Sequence, residues 1–186
     1  MKKDLLSRYE RSPEGEILVD VSATKAEDLF STFDRSAPYV RRDLEQDLVE
    51  HLIGCAREVG AEPFRIRFTF VTPCGEEVQS RIKRSVNNFF LYLAEVERQK
   101  IIRMFRRSSM FFFLGITILF ISVWLEQHMG AIRSVLGNVL SQGISVAAWV
   151  SLWEALATFL IEWLPCRRDI KIYLRLAAAE TIFRSL

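Results

Sequence analysis

The spacing of apolar residues changes along the chain, and each change predicts a different element. Glu16–Val21 (EILVDV) is a short strand candidate behind the turn-like Ser12-Pro13-Glu14-Gly15. Lys25–Phe33 suits a short helix, with Ser22 or Thr24 as its cap. Between Val40 and Val59, Leu44, Leu48, Leu52, Cys55 and Ala56 share one helical face, and Gly60 follows as a stop. Phe64–Val71 (FRIRFTFV) alternates with period two. Phe64, Ile66, Phe68 and Phe70 lie on one face, with Arg65, Arg67 and Thr69 on the other, the strongest strand signal in the chain. From Glu76 the period returns to helical, with Val78, Ile82, Val86, Phe89, Leu93 and Val96 in one stripe.

Strand, helices, strand, long helix predicts a parallel pair joined by a helical crossover. Two strands alone leave both sheet edges open. That calls for self-association or a partner strand, unless a further strand of this chain closes the sheet.

Beyond Arg107 the periodicity gives way to continuous apolar sequence. Ser108–Leu125 (SSMFFFLGITILFISVWL) carries no charge and, as a helix, is about 27 Å long, enough to cross a bilayer core. Ile144–Leu164 (ISVAAWVSLWEALATFLIEWL) is a second candidate span, with Glu154 near its centre and Glu162 near its end, stopped by Pro165. Between them, Met129, Ile132, Val135, Leu136, Val139 and Leu140 predict an amphipathic external helix or an early start to the second span.

The expected fold is therefore an α-helical membrane hairpin of two transmembrane helices. It carries a small N-terminal cytoplasmic α/β domain and a long helix leading into the first span. The segments are 1–75 (domain), 76–107 (long helix), 108–125 (first span), 126–143 (external loop), 144–164 (second span) and 165–186 (basic cytoplasmic tail).

Charge supports this division. Residues 1–107 hold 19 basic and 18 acidic residues, whereas 108–164 hold four charged residues, Glu126, Arg133, Glu154 and Glu162. Arg98, Lys100, Arg103, Arg106 and Arg107 precede the first span, and Arg167, Arg168, Lys171 and Arg175 follow the second. The positive-inside rule puts both termini in the cytoplasm, at the inner membrane. Residues 1–10 have no apolar core of a signal peptide. A net charge of +2 argues against nucleic acid as a partner. Cys55, Cys74 and Cys166 are too scattered for a disulfide framework, and with His51 and His128 they assemble no metal site. No cofactor is expected.

Candidate chemistry is sparse, with no P-loop, dinucleotide fingerprint, zinc-protease motif or nucleophile elbow. Phe33-Asp34 and Arg42-Asp43 place acids near arginines, a pattern of local pairing. Cys74 lies in a turn beside Gly75, but Glu76 and Glu77 have the wrong sign to activate it. Glu154 draws most attention, because an ionisable group inside a bilayer is costly. A hairpin paired about the middles of the two runs sets it level with Ile116 and Thr117, where a protonated Glu154 hydrogen-bonds Thr117, Ser122 or a backbone carbonyl. Glu162 would pair with Arg167 or Arg168 at the interface. The tail from Cys166 to Leu176 groups Ile170, Tyr173, Leu174 and Ala177 on one helical face, to lie on anionic lipid or dock on the domain.

The chain resembles a family of bacterial two-span membrane proteins with a small N-terminal cytoplasmic domain and no assigned reaction. The resemblance lies in Asp28–Asp34 with Arg42-Asp43-Leu44 and His51-Leu52-Ile53, in the helix Ile82–Arg107, and in Trp149–Ala155 continuing through Glu162–Asp169 to Tyr173 and Leu176. It implies the architecture and brings no catalytic residues.

The expected function is that of a membrane-anchored, non-enzymatic assembly or adaptor protein. Its partners would be the lipid bilayer and either its own copies or another membrane-associated protein. The alternative is a homo-oligomeric channel or transporter subunit with Glu154 lining the path.

Overall fold

The computed structural model describes residues 6–31, 43–128 and 135–185. The chain is mostly helical, with two long apolar helices and a small three-stranded sheet. In order the elements are β1 (Ile17–Ala23), a 3-10 turn (Ala26–Leu29), α1 (Gln46–Val59), β2 (Phe64–Phe70), α2 (Glu76–His128), α3 (Val135–Ala157), a π-helical turn (Thr158–Glu162), α4 (Trp163–Ala178) and β3 (Glu180–Ser185). They form two compact units, residues 1–96 with 169–186, and residues 97–168.

In the first unit the sheet order is β1-β2-β3 and both pairings are parallel. The predicted strand pair is present, with Val19 opposite Ile66 and Val21 opposite Phe68. Of the alternatives that two strands leave, a further strand of this chain is the one present, and the segment expected as a basic tail supplies it. Phe183 pairs with Phe68, and its ring lies 5.9 Å from that of Phe68 and 6.4 Å from that of Phe70. Period-two alternation turns Ile17, Val19, Val21, Phe64, Ile66, Phe68 and Phe70 into one buried cluster. The apolar stripes of α1 (Leu48, Leu52, Cys55, Ala56, Val59), α2 (Ile82, Val86, Phe90) and α4 (Leu176, Ala177) complete it.

The tail docks on this unit. Leu176 is 1% exposed, Tyr173 lies 6.4 Å from Phe90, and the Asn87 amide donates to the Ala177 carbonyl at 2.7 Å. Arg57 pairs with Asp169 at 2.9 Å. Arg175 donates to the carbonyls of Gly60 and, at 2.6 Å, Glu62, and its guanidinium lies 5.0 Å from the Phe64 ring centre. Gly60 ends α1 with φ of 69°, a conformation that favours glycine, which turns its carbonyl toward that arginine. Leu174, expected on the apolar face, is 47% exposed.

Two predicted helices in this unit are shorter than expected. Lys25–Phe33 reduces to the 3-10 turn, because Phe30 enters a bridge with Leu44. The helix predicted over 40–59 starts at Gln46, and Phe33, Asp34, Val40 and Arg42 lie outside the described residues.

The second unit is an antiparallel helix pair. Gly115 approaches Ala148 and Leu152, so closely that a Cβ built on it would stand 3.1 Å from Leu152 and 3.2 Å from the Ala148 carbonyl. Further along the pair, Phe105 meets Phe159 with ring centres 6.0 Å apart. Ala148 and Ala155, 0% and 6% exposed, are small residues that let the backbones close. Helix α3 starts at Val135, so the early-start reading of the loop is the one that holds, while Met129, Ile132 and Arg133 lie outside the described residues. Pro165 does not stop the helix. The turn ahead of it widens to π geometry, absorbing the missing N–H and the ring, and α4 resumes at Trp163 with Pro165 in its first turn.

Candidate functional site

Two places in the first unit bring polar groups together, a lattice of ion pairs and a cleft. On the sheet face away from the core, β2 presents Arg65 and Arg67. Arg67, its side chain 15% exposed, donates to Asp20 at 2.8 Å and Glu10 at 2.6 Å. These carboxylates hold its guanidinium firmly charged. Arg65 meets Glu14, Glu16 and, at 3.1 Å, Glu180. A parallel sheet normally covers both faces with helices; this one covers its second face with ion pairs.

At the carboxyl ends of β1 and β2 lies an open cleft of about 710 Å³, lined by Asp20, Ser22, Thr24, Asp28, Glu45, Asp47 and His51 among others. Ligands of open α/β sheets bind beyond the carboxyl ends where the strand order reverses, and the order β1-β2-β3 has no such reversal. Two of its polar side chains already serve the fold. Asp28 accepts from the Lys25 backbone N–H at 2.9 Å, and the His51 Nε2–H donates to the Asp20 carbonyl at 3.1 Å. Behind it the buried Cys55 thiol sits 3.7 Å from His51, and the Tyr9 hydroxyl donates to Glu58 at 2.7 Å. Burial, with Cys55 and Glu58 adjacent, pushes the Tyr9 phenol up and keeps it a donor. Cys74 is partly exposed. Among the described residues no group of side chains could hold a metal ion.

In the second unit the expected polar contact between helices is corrected. Thr117 donates to the Phe113 carbonyl of its own helix at 2.8 Å, and Glu154 is exposed, with no hydrogen-bond partner among the described residues. Ser122 is half-buried. The register explains the difference. With Gly115 against Ala148 and Leu152, and Phe105 against Phe159, Glu154 comes level with Met110 and Phe111 rather than Ile116 and Thr117. The Glu162 side chain lies outside the described residues, as does that of Glu126. Arg167 and Arg168 are exposed, and Arg167 stacks over Trp163 at 4.8 Å.

Sequence reading misses the Gly115–Ala148 seam, although a lone glycine in one apolar run and small residues seven apart in the other mark it. It also misses the ion-pair lattice, whose carboxylates come from Glu10 to Asp20 and from Glu180, distant in sequence from the arginines they meet. No family model, no curated protein and no solved structure matches the chain.

Proposed function

We propose that this chain is a membrane-anchored, non-enzymatic assembly or adaptor protein. Its two long apolar helices cross the inner membrane as a hairpin, and its sheet-bearing unit lies in the cytoplasm, associating with itself or another membrane-associated protein. The observation that carries the reading is the pairing of β2 with β3. These strands flank the hairpin in sequence and share one ladder, so they occupy one compartment, and any crossing between them comes in even number. Both apolar stretches are scarcely covered by protein, 11% and 12% buried, and Phe120, Trp149, Trp153 and Ile161 stand 67–74% exposed. In water such a surface would aggregate; in lipid it is at rest. Arg106, Arg107, Arg167 and Arg168 at the base favour the cytoplasmic side.

Within this hairpin Glu154 lies about six residues from the middle of the first span, roughly 9 Å toward the arginines, so it can reach the headgroup layer. That lowers its cost and supports an anchor rather than a conducting path. The exposure of Glu154 supports the second reading, a homo-oligomeric channel or transporter in which several copies turn this residue to a common axis.

Topology is tested with an impermeant maleimide on intact cells, in a Cys74→Ser background because Cys55 and Cys166 are buried. Cysteine at Ser134 is expected to label from outside, and cysteine at the exposed Ser80 only after lysis. Labelling of Ser80→Cys in intact cells would overturn the cytoplasmic placement.

A further inference from the structure

The two edges of the sheet are treated differently. Along β1 the preceding segment shields the edge: Arg11 bridges Ile17, the Leu18 N–H donates to the Glu10 carbonyl at 2.9 Å, and His51 occupies the Asp20 carbonyl. Along β3 no backbone hydrogen bond reaches the outer edge among the described residues. An open edge is a template for another strand, and folded proteins usually block it. The sequence of β3, Glu180-Thr181-Ile182-Phe183-Arg184-Ser185, has no proline, bulge or lysine, and its two charges, Glu180 and Arg184, are of opposite sign.

Charge names the occupant. Arg65 is one cation among three carboxylates, Glu14, Glu16 and Glu180, so the sheet face at the start of β3 holds excess negative charge. Arg184, at the other end of β3 and on the same face, is exposed and has no ion-pair partner among the described residues. Two β3 strands set antiparallel with Ile182 opposite Ile182 place each Arg184 opposite the other copy's Glu180. The same register explains Ile182, an apolar residue on an otherwise charged face, by seating it against its equivalent on the axis. We propose that β3 pairs with β3 of a second copy about a two-fold axis at Ile182, joining two three-stranded sheets into one of six. This rests on the self-association reading above and names its surface.

The test uses the full chain in lipid nanodiscs, with Ile182→Cys in the Cys74→Ser background and a short bismaleimide. Covalent dimer is expected with Ile182→Cys and not with Lys25→Cys beyond the β1 edge. Arg184→Glu and Glu180→Arg, each placed in the Ile182→Cys chain, should each cut the dimer about tenfold, since each sets like charges opposite each other. Co-expressed under different tags, the two variants should cross-link to each other as well as the unaltered chain does, because each then meets its complement. Should Glu180→Arg fail to fold beside Arg65, the cross-link of the Ile182→Cys chain decides alone. Oligomers by light scattering without a covalent dimer of the Ile182→Cys chain would overturn this interface and leave self-association standing. A monomer by light scattering would remove both.

Discussion

The two units use the same residue types to opposite ends. Phe68, Phe70 and Phe90 are at most 1% exposed, whereas Phe113 and Phe120 are 66% and 74% exposed. In the first unit apolar residues alternate with polar ones or recur at helical spacing, so each element has an inside and an outside. In the second they run unbroken, and the buried residues at the helix contact are small, Ala148 and Ala155, with Gly115 close against Ala148 and Leu152. A core that excludes water needs large side chains that interlock. A pair of helices in lipid gains nothing by hiding large side chains from an equally apolar solvent, and gains from close backbones instead. The comparison thus separates hydrophobic burial from van der Waals closeness as the source of cohesion.

Five substitutions in four tests, one of them a matched pair, probe this contrast, and the tests run from the largest expected effect to the smallest. Ile66→Asp sets a charge where the side chain is 0% exposed, and the penalty of several kcal/mol rivals the whole stability of a small unit. Loss of the cooperative melt is expected by circular dichroism, while the hairpin stays in the membrane fraction. Phe68→Ala and Phe120→Ala then compare the same truncation across the units. The first should lose about 3–5 kcal/mol in denaturant unfolding and the second under about 0.5. Equal losses would erase the distinction drawn above. Gly115→Leu forces side-chain atoms against Leu152 and the Ala148 carbonyl, costing about 1–3 kcal/mol and parting the hairpin. A fall in disulfide formation between cysteines placed at Phe105 and Phe159 would report it. Last, Glu154→Gln should change hairpin stability by less than about 0.5 kcal/mol, because the group has no partner to lose among the described residues. A stable but inactive Gln variant in a growth or flux assay would favour the channel reading.

Arg67 shows how a correct strand prediction can still mislead about a mutation. Alternation places it on the solvent side, from which Arg67→Asp looks mild. Its side chain is only 15% exposed between Asp20 and Glu10, so aspartate there would meet two like charges. The lattice is invisible to period-two reasoning, because its members come together only through tertiary pairing. β1 and β2 are legible because their alternation is strict over most of seven residues. β3 is not. It follows Leu176-Ala177-Ala178-Ala179, a helix-favouring run, and Ile182 stands on its charged face, so neither its start nor its period is announced. The depth of Glu154 is misread for another reason: the two apolar runs are not paired about their own middles. The register follows the small residues Gly115 and Ala148, and moves Glu154 by about one and a half helical turns. Pro165 signals an end only for a regular α-helix, and the π turn ahead of it removes that premise. Of the candidate site residues, Thr117, Ser122, Glu154, Arg167 and Arg168 are found in the helix pair, but no bond gathers them into one site among the described residues.

The central position of β2 has a consequence for biosynthesis. Its first neighbour, β1, is already outside the ribosome when β2 emerges, and 40 residues separate Ala23 from Phe64. Its second neighbour is translated only after both long helices, so the outer side of β2 waits through the synthesis of residues 71–179. In that interval Phe68 and Phe70 lack the ring of Phe183, and Ile82, Val86 and Phe90 lack Leu176 and Ala177. If the two long helices cross the membrane as proposed, a nascent chain in which the hairpin has gone astray cannot bring β3 back to the right compartment. It keeps a sticky, half-made sheet that proteases and chaperones recognise. In the proposed topology the late strand would act as a seal on correct insertion, coupling survival of the sheet to the fate of the helices that precede it.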